Sequence, residues 1–326
     1  MSVVITDRSD AAALIPVTQA NEIVQGVVEK SVVMQLGTRL QNMSSKTHRI
    51  PVLNQLPQAH FVDGDTGLKQ TSKQAWENKF IHAEEIAVIM PIPEAVLDDS
   101  EYDMWGQIRP RVEEAFAKTF DAAVLVGEGA PAAWPDDIFT GATGAGQVLT
   151  IGDKGDLYND ILGEGGLVDF VESDGFFVSG YLAQTTMRAK LRGLREQVWD
   201  GTQAINAGVP IFHRSPDRRD VQGASVYELD GSPMYWDRIG ALDANTLMIA
   251  GDFSQLVYSI RQEMTYKVLT ESVITDNQGQ IIYNLAQQDM VALRAVMRLG
   301  WQLPNPINRL NENESTRYPF SVLKAS

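Results

Sequence analysis

Between THRIPVL (47–53) and FIHAEEIAVIMPI (80–92), two stretches that read as strands, the chain spends 26 residues on NQLPQAHFVDGDTGLKQTSKQAWENK. That insert is polar and full of turn formers, and it offers few apolar side chains with which to fold back on a core. A two-stranded excursion is marginal in water by itself. Long irregular stretches inside compact domains are as a rule functional or docked on something else. Whatever this chain folds into must either leave a long arm free at its surface or lay it on another subunit, and the residues alone support both.

The rest of the sequence can build a core to hold such an arm. Its 326 residues are 44% hydrophobic and 21% charged, the composition of a globular protein of one large or two ordinary domains. No apolar run approaches the ~18 residues of a membrane span. The N-terminus, MSVVITDRSDAAALIP, carries acids where a secretory signal needs a basic and then an apolar segment, so the reading is a soluble, unexported protein. With no cysteine, disulfides, thiolate metal sites and cysteine nucleophiles are excluded. The 27 Lys and Arg against 42 Asp and Glu leave a net charge of −15, which repels phosphate backbones and disfavours ordinary nucleic-acid binding. The same sign suits a container wall that must not stick to its contents, and equally an acidic cytosolic enzyme.

Along the chain, residues 1–46 read as an extended arm entering a short helix, with Ile23, Val27, Val28, Val32, Val33 and Leu36 at roughly helical spacing. DDSEYDMWGQIRPRVEEAFAKTFDAAVLVGEG predicts a long helix over 100–126, capped by Ser100 or Asp103, stopped by Gly127 and Gly129, and bent at Pro110. Trp105, Ile108, Val112, Ala115, Phe116, Ala122 and Ala123 form its apolar stripe. Residues 128–245 read as an inserted α+β domain with a helix at LAQTTMRAKLRGLREQ (182–197) and strands at 175–180, 209–213 and 232–236. Strands return over 246–274, DNQGQ turns the chain, and IIYNLAQQD (281–289) is a short transition. In MVALRAVMRLGW (290–301) the composition favours helix. Yet Val291, Leu293, Ala295, Met297, Leu299 and Trp301 alternate, with Arg294 and Arg298 on the other parity.

Catalytic chemistry finds little support. Gly141, Gly144 and Gly146 are spaced wrongly for a dinucleotide fingerprint or a P-loop. His48, His60, His82 and His213 show no helical metal-site spacing. Glu84 and Glu85 are strand neighbours that point to opposite faces, so they form no catalytic dyad with each other. Asp98 and Asp99 are explained by helix capping. No catalytic residue, metal or cofactor is expected.

Taken in order, IPVLNQLPQAHFV, TGLKQTSKQAWENKFIHAEEIAVIMPIPEAVLDDSEYDMWGQIRPRVEEAFAKTFDAAVLVG, MIAGDFSQLVYSIRQEMTYKVL and NLAQQDMVALRAVMRLGW resemble the major capsid proteins of tailed bacteriophages with the Hong Kong 97 fold, in the branch from siphophages of actinobacteria. The resemblance covers roughly residues 12–306 and is weakest over 130–245. It implies an α+β fold with an N-terminal arm (1–46), an extended hairpin called the E-loop (47–90), a peripheral domain with a spine helix (91–127), an axial domain (128–250), peripheral strands (251–302) and a C-terminal segment (303–326). The hairpin should then lie over a neighbouring subunit, and MVALRAVMRLGW should be a strand packed on the spine helix.

The function implied is self-assembly into an icosahedral head enclosing double-stranded DNA, so the protein is localised in the virion after assembly in the host cytoplasm. The partners are other copies of the chain in hexamers and pentamers, a portal protein, a separate scaffolding protein, a decoration protein, and packaged DNA bound without sequence specificity; no membrane is involved. The intersubunit contact candidates are Lys69, Lys73 and Trp76 in the hairpin, Glu84 and Glu85 at its base, Arg109 and Arg111 on the helix, and Arg294 and Arg298 on the last long strand. Some relatives join a hairpin lysine to an asparagine of a neighbour, which needs a desolvated carboxylate; here the expected position reads Gln287 and Gln288 before Asp289, so no covalent crosslink is expected. The alternatives are an encapsulin-like nanocompartment shell protein and, more distantly, an acidic hydrolase.

Overall fold

A computed structural model describes residues 30–62, 67–98, 104–199, 204–219, 225–276 and 278–326. Ile23, Val27 and Val28 of the arm and the expected caps Ser100 and Asp103 lie outside the described residues. Of the expected apolar stripe of the long helix, Val112, Phe116, Ala122 and Ala123 are buried and Trp105 and Ile108 half-buried, while Ala115 is exposed because the buried face turns instead onto Phe120 and Val124. In the helix Met104–Leu125, Val112, Phe116, Phe120, Ala123 and Val124 are buried, and the helix runs on through Pro110.

Against this helix lies a four-stranded sheet in the order Thr38–Arg39, Val257–Leu269, Met290–Gln302 and Glu84–Pro93. The alternation of MVALRAVMRLGW prevails over its helix propensity because the strand Met290–Gln302 is hydrogen-bonded along both edges. Ala295, Met297, Leu299 and Trp301 enter the same core as Phe116 and Phe120. The opposite face is not uniformly wet: Ala292 and Val296 are buried on either side of the exposed Arg294, with the half-buried Arg298 next along the strand.

The stretch 80–92, expected as one strand, is two. Ala75–His82 pairs with Thr47–Gln55 to make the hairpin, while Glu84–Pro93 pairs with Met290–Gln302. The chain changes partner at the buried Ala83. At that step the carbonyl of His82 accepts a hydrogen bond from the Trp134 indole at 3.0 Å. The same carbonyl lies so close to Gly300 that any Cβ there would overlap it, which explains the glycine in an otherwise bulky strand.

A seven-stranded sheet follows, ordered Val148–Thr150, Phe320–Lys324, Thr246–Gly251, Gly180–Gln184, Ser232–Asp237, Ser225–Leu229 and Phe212–Arg219. The helix expected over 182–197 is absent. The run is a strand Gly180–Gln184, a short helix Met187–Leu191 and a second strand Arg195–Trp199. Tyr181, Leu182 and Ala183 are all buried in the interior of the sheet, where a continuous apolar run reads the same as one face of a helix. The strand expected at 175–180 begins only at Gly180, the one expected at 209–213 is split at Ile211 between Ala204–Pro210 and Phe212–Arg219, and the transition at 281 starts with a strand, Ile281–Asn284. The C-terminal segment supplies Phe320–Lys324, inserted between Val148–Thr150 and Thr246–Gly251 with Phe320, Val322 and Leu323 fully buried.

Candidate assembly interface

The hairpin begins on a small core of its own: Met43, Ile81, Ala83 and Val257, with Leu40 and Ile50 against them. Its base is also tied to the C-terminal segment of the same chain. Ile307 N–H donates to the Leu53 carbonyl at 3.1 Å, Arg309 to the Pro57 carbonyl at 2.5 Å, and Lys79 pairs with Glu314 at 2.5 Å. Beyond these ties the hairpin is open. Phe61 and Leu68 are essentially fully exposed, Trp76 is 65% exposed and Phe80 43%. Lys69 and Lys73 are exposed and make no ion pair among the described residues. Large apolar side chains left in water around two free cations are what a surface awaiting a partner looks like.

The acids at the hairpin base are placed on opposite faces, as their adjacency predicts. Glu84 pairs with Lys46 at 3.2 Å, and Glu85 takes a forked contact from Arg298 Nε at 2.7 Å and Nη2 at 2.6 Å. Arg294 is different. It stands opposite Lys267 on one neighbouring strand and Ile89 on the other, and no carboxylate meets it among the described residues. On the long helix, Arg109 lies over the Tyr266 ring at 5.5 Å, and Arg111 pairs with Glu114 at 2.6 Å. The nine candidates are therefore not one cluster. Glu85 and Arg298 come together, Lys69, Lys73 and Trp76 share the open hairpin, and Arg109 and Arg111 are engaged within the chain.

Between Glu84–Pro93 and the long helix is a cleft of about 230 Å³, lined by Glu84, Glu85, Thr119, Ala123, Pro131 and Trp134. Both its carboxylates are held by cations, so it contains no free acid pair. Among the described residues no group of three or more His, Asp or Glu is disposed to hold a metal ion.

One buried acid went unforeseen. Asp121, inside the long helix and fully buried, accepts from Ser31 Oγ at 2.5 Å, Val32 N–H at 2.7 Å and Val33 N–H at 3.4 Å. It thereby anchors the helix Val32–Leu36 to the long helix. Burial pushes its carboxyl up from 3.8 to about 7 against the pull of those donors, with the charge of Asp237 adding to the rise. Its one sequence signal was Ser31, a helix-capping residue ahead of an apolar run.

The phage capsid family matches residues 11–308. The major capsid protein of Staphylococcus phage 80alpha is 28% identical over 280 residues, covering 85% of this chain and 78% of that protein. A solved structure from Microbacterium phage Oxtober96 has a TM-score of 0.79 at 33% identity, covering 99% of this chain and 100% of that one. One from Mycobacterium phage Adephagia has a TM-score of 0.78 at 26% identity, covering 99% of each. With the helix, the four-stranded sheet, the open hairpin and every strand of the seven-stranded sheet but Phe320–Lys324 inside the matched span, the chain belongs to the phage capsid family.

Proposed function

We propose that this chain is the major head subunit of a tailed bacteriophage, whose copies close an icosahedral shell around double-stranded DNA. The observation that carries the reading is the hairpin: a family member whose longest arm leaves Phe61, Leu68 and Trp76 in water has built half of an interface. On this reading Lys69, Lys73 and Trp76 rest on an adjacent copy, and Arg294 takes a carboxylate from one. Many such contacts, each weak, add up because every subunit is held at several points at once. Portal, scaffolding and decoration proteins are the further partners the reading brings, and the acidic charge keeps packaged DNA from adhering to the wall. The subunits assemble in the host cytoplasm and end in the virion.

Negative-stain microscopy of the expressed chain tests this. Shells or capsomers are the expected result; compact monomers at every concentration would overturn it. The hairpin lysines are proposed to act through contacts and not covalent bonds, since Gln287 and Gln288 at the turn before Met290 serve as acceptors for Asn284. Boiled particles should then run as intact monomers on a denaturing gel, and a ladder of multimers would refute it.

A further inference from the structure

The short helix Met187–Leu191 buries Met187 and Leu191 in one core with Phe212, Leu229 and Met234, one from each of the last three strands of the seven-stranded sheet. From this helix Arg188, half-buried, donates to the Tyr227 hydroxyl at 2.7 Å. Arg214 is exposed, stands directly opposite Tyr227 on the neighbouring strand, and approaches the same oxygen at 3.5 Å. The two guanidinium carbons lie 4.7 and 5.5 Å from the centre of the Tyr227 ring, which is itself stacked on the buried Phe212 at 4.9 Å.

This arrangement has donors and positive charge without an acceptor to match. Neither arginine meets a carboxylate among the described residues, in a chain whose net charge is −15. Glu228, next to Tyr227 in the strand, is turned to the other face and stands 3.7 Å from His213 Nε2. The Arg188 Nε–H is buried with no partner among the described residues, a cost that a native site does not carry idly. The phenol oxygen accepts from both arginines, so its own O–H is left to donate, and no described residue receives it. The hydrogen bond from Arg188, and after it that from Arg214, draws the Tyr227 hydroxyl below its ordinary pKa, as a positive field at that point requires.

A phosphate group answers each of these features. Its charge of about −2 at neutral pH balances two guanidiniums, and its oxygens accept from several separate donors at once. A carboxylate brings one charge and two oxygens in a plane, which leaves one arginine uncompensated. A phosphodiester inside DNA also brings one charge, and the chain's acidity repels the phosphates on either side of it. Ring stacking already holds both guanidiniums in place, so little side-chain freedom is lost on binding. We infer that Arg188, Arg214 and the Tyr227 hydroxyl form a binding site for a phosphate group, as the free ion or the terminal group of a small monoester, which joins the helix Met187–Leu191 to the strands Ser225–Leu229 and Phe212–Arg219. The site lies within one subunit, so it stands whether or not copies of the chain close a shell.

Isothermal titration of the full-length chain with inorganic phosphate, at an ionic strength held constant with chloride, should show one site with a Kd on the order of 1 mM or tighter. Arg214→Gln changes an exposed side chain and should weaken binding at least about tenfold, the loss of one charge-assisted hydrogen bond. Arg188→Gln should do the same; if a thermal melt shows that this half-buried change costs the fold, Arg214→Gln still decides. Lys190→Gln/Arg192→Gln removes two exposed cations from the same segment and should bind phosphate as wild type does. Competition by AMP names the source: displacement of phosphate identifies a monoester, and its failure identifies the free ion. Acetate that displaces phosphate at equal concentration would make this a carboxylate site and overturn the inference, as would displacement by a DNA duplex. Wild type that binds no phosphate, or Arg214→Gln that binds it unchanged, sinks the inference outright. An equal loss in Lys190→Gln/Arg192→Gln would mean a diffuse cationic surface in place of a site and would overturn it too.

Discussion

Trp301 and Trp76 mark two ways in which this chain uses the same side chain. Trp301, on the central strand of the four-stranded sheet, is fully buried against the long helix; Trp76, on the hairpin, is 65% exposed. The helix and its sheet share one core that includes Phe116, Phe120, Ala295, Leu299 and Trp301, completed within a single subunit. The hairpin has only the small cluster at its base, beside Ile81. Stability therefore resides in the first region, and the second contributes chiefly when another molecule covers it. Burial on folding and burial on assembly are the same transfer of apolar surface from water, separated here along the sequence.

The sharpest way to break this comparison is to truncate both tryptophans. Trp301→Ala should cost about 3–5 kcal/mol of subunit stability, by lost transfer and the cavity it leaves. Trp301→Phe should cost less, because the indole N–H has no partner among the described residues and its removal leaves no donor behind. Trp76→Ala should change subunit stability by less than about 0.5 kcal/mol while impairing assembly. Urea unfolding of the unassembled subunit, alongside microscopy, measures both. A Trp76→Ala subunit destabilised as much as Trp301→Ala would show that the hairpin belongs to the core.

Asp121 brings pH into the same contrast. Its folded pKa of about 7 lies above the 3.8 of an ordinary aspartate, so the folded subunit holds a proton that the unfolded chain releases near pH 4. The stabilisation from burying the neutral acid is fully present below about pH 4 and is lost as pH rises through about 7. Relative to Asp121→Asn, wild-type stability should therefore fall between those values, by on the order of 4 kcal/mol if the whole difference is expressed. Denaturant unfolding at pH 4, 5.5 and 7.5 reads this directly. A flat difference would mean that the carboxylate remains charged and that its three donors offset burial.

The junction between the two regions should respond with an intermediate effect. Gly300 faces the His82 carbonyl at the place where the chain leaves the hairpin for the sheet. Gly300→Ala must push that backbone away, at a cost of about 1–3 kcal/mol by analogy with other overpacked sites. It should also weaken the Trp134 hydrogen bond to the same carbonyl. A melt as high as wild type would mean that the hairpin root shifts freely.

Much of the core region was legible because its signals are local. Period two in MVALRAVMRLGW and the spacing of Val112, Phe116 and Ala123 each state which face is buried. The hairpin was legible as an excursion lacking apolar content, although its ties to Ile307, Arg309 and Glu314 were not, since nothing local marks a pairing over more than 200 residues. The break at Ala83 escaped for the same reason: both halves are strand-like, and only the approach of Gly300 and Trp134 decides where one partner ends and the next begins. In 182–197 the run Tyr181–Ala183 is buried among neighbouring strands, so periodicity was mute there. Asp121 is bonded to residues some ninety positions away.

The finest test lies on one face of one strand. Arg298 holds Glu85 at 2.6 Å, with both side chains more than 40% exposed, while Arg294, four residues away, faces Lys267. An exposed ion pair is worth about 0.2–1 kcal/mol, and like charges placed directly opposite across strands cost a similar amount. Arg298→Ala should thus lower subunit stability by a few tenths of a kcal/mol, and Arg294→Ala should leave it unchanged or raise it slightly. In assembly the order should reverse. Arg298 has its carboxylate already, whereas Arg294 together with Lys267 forms a cationic pair that a carboxylate of an adjacent copy would relieve. Arg294→Ala should therefore raise the protein concentration needed for association more than Arg298→Ala does. Equal effects of the two variants on assembly, read by sedimentation at low salt, would return Arg294 to an ordinary wetted position.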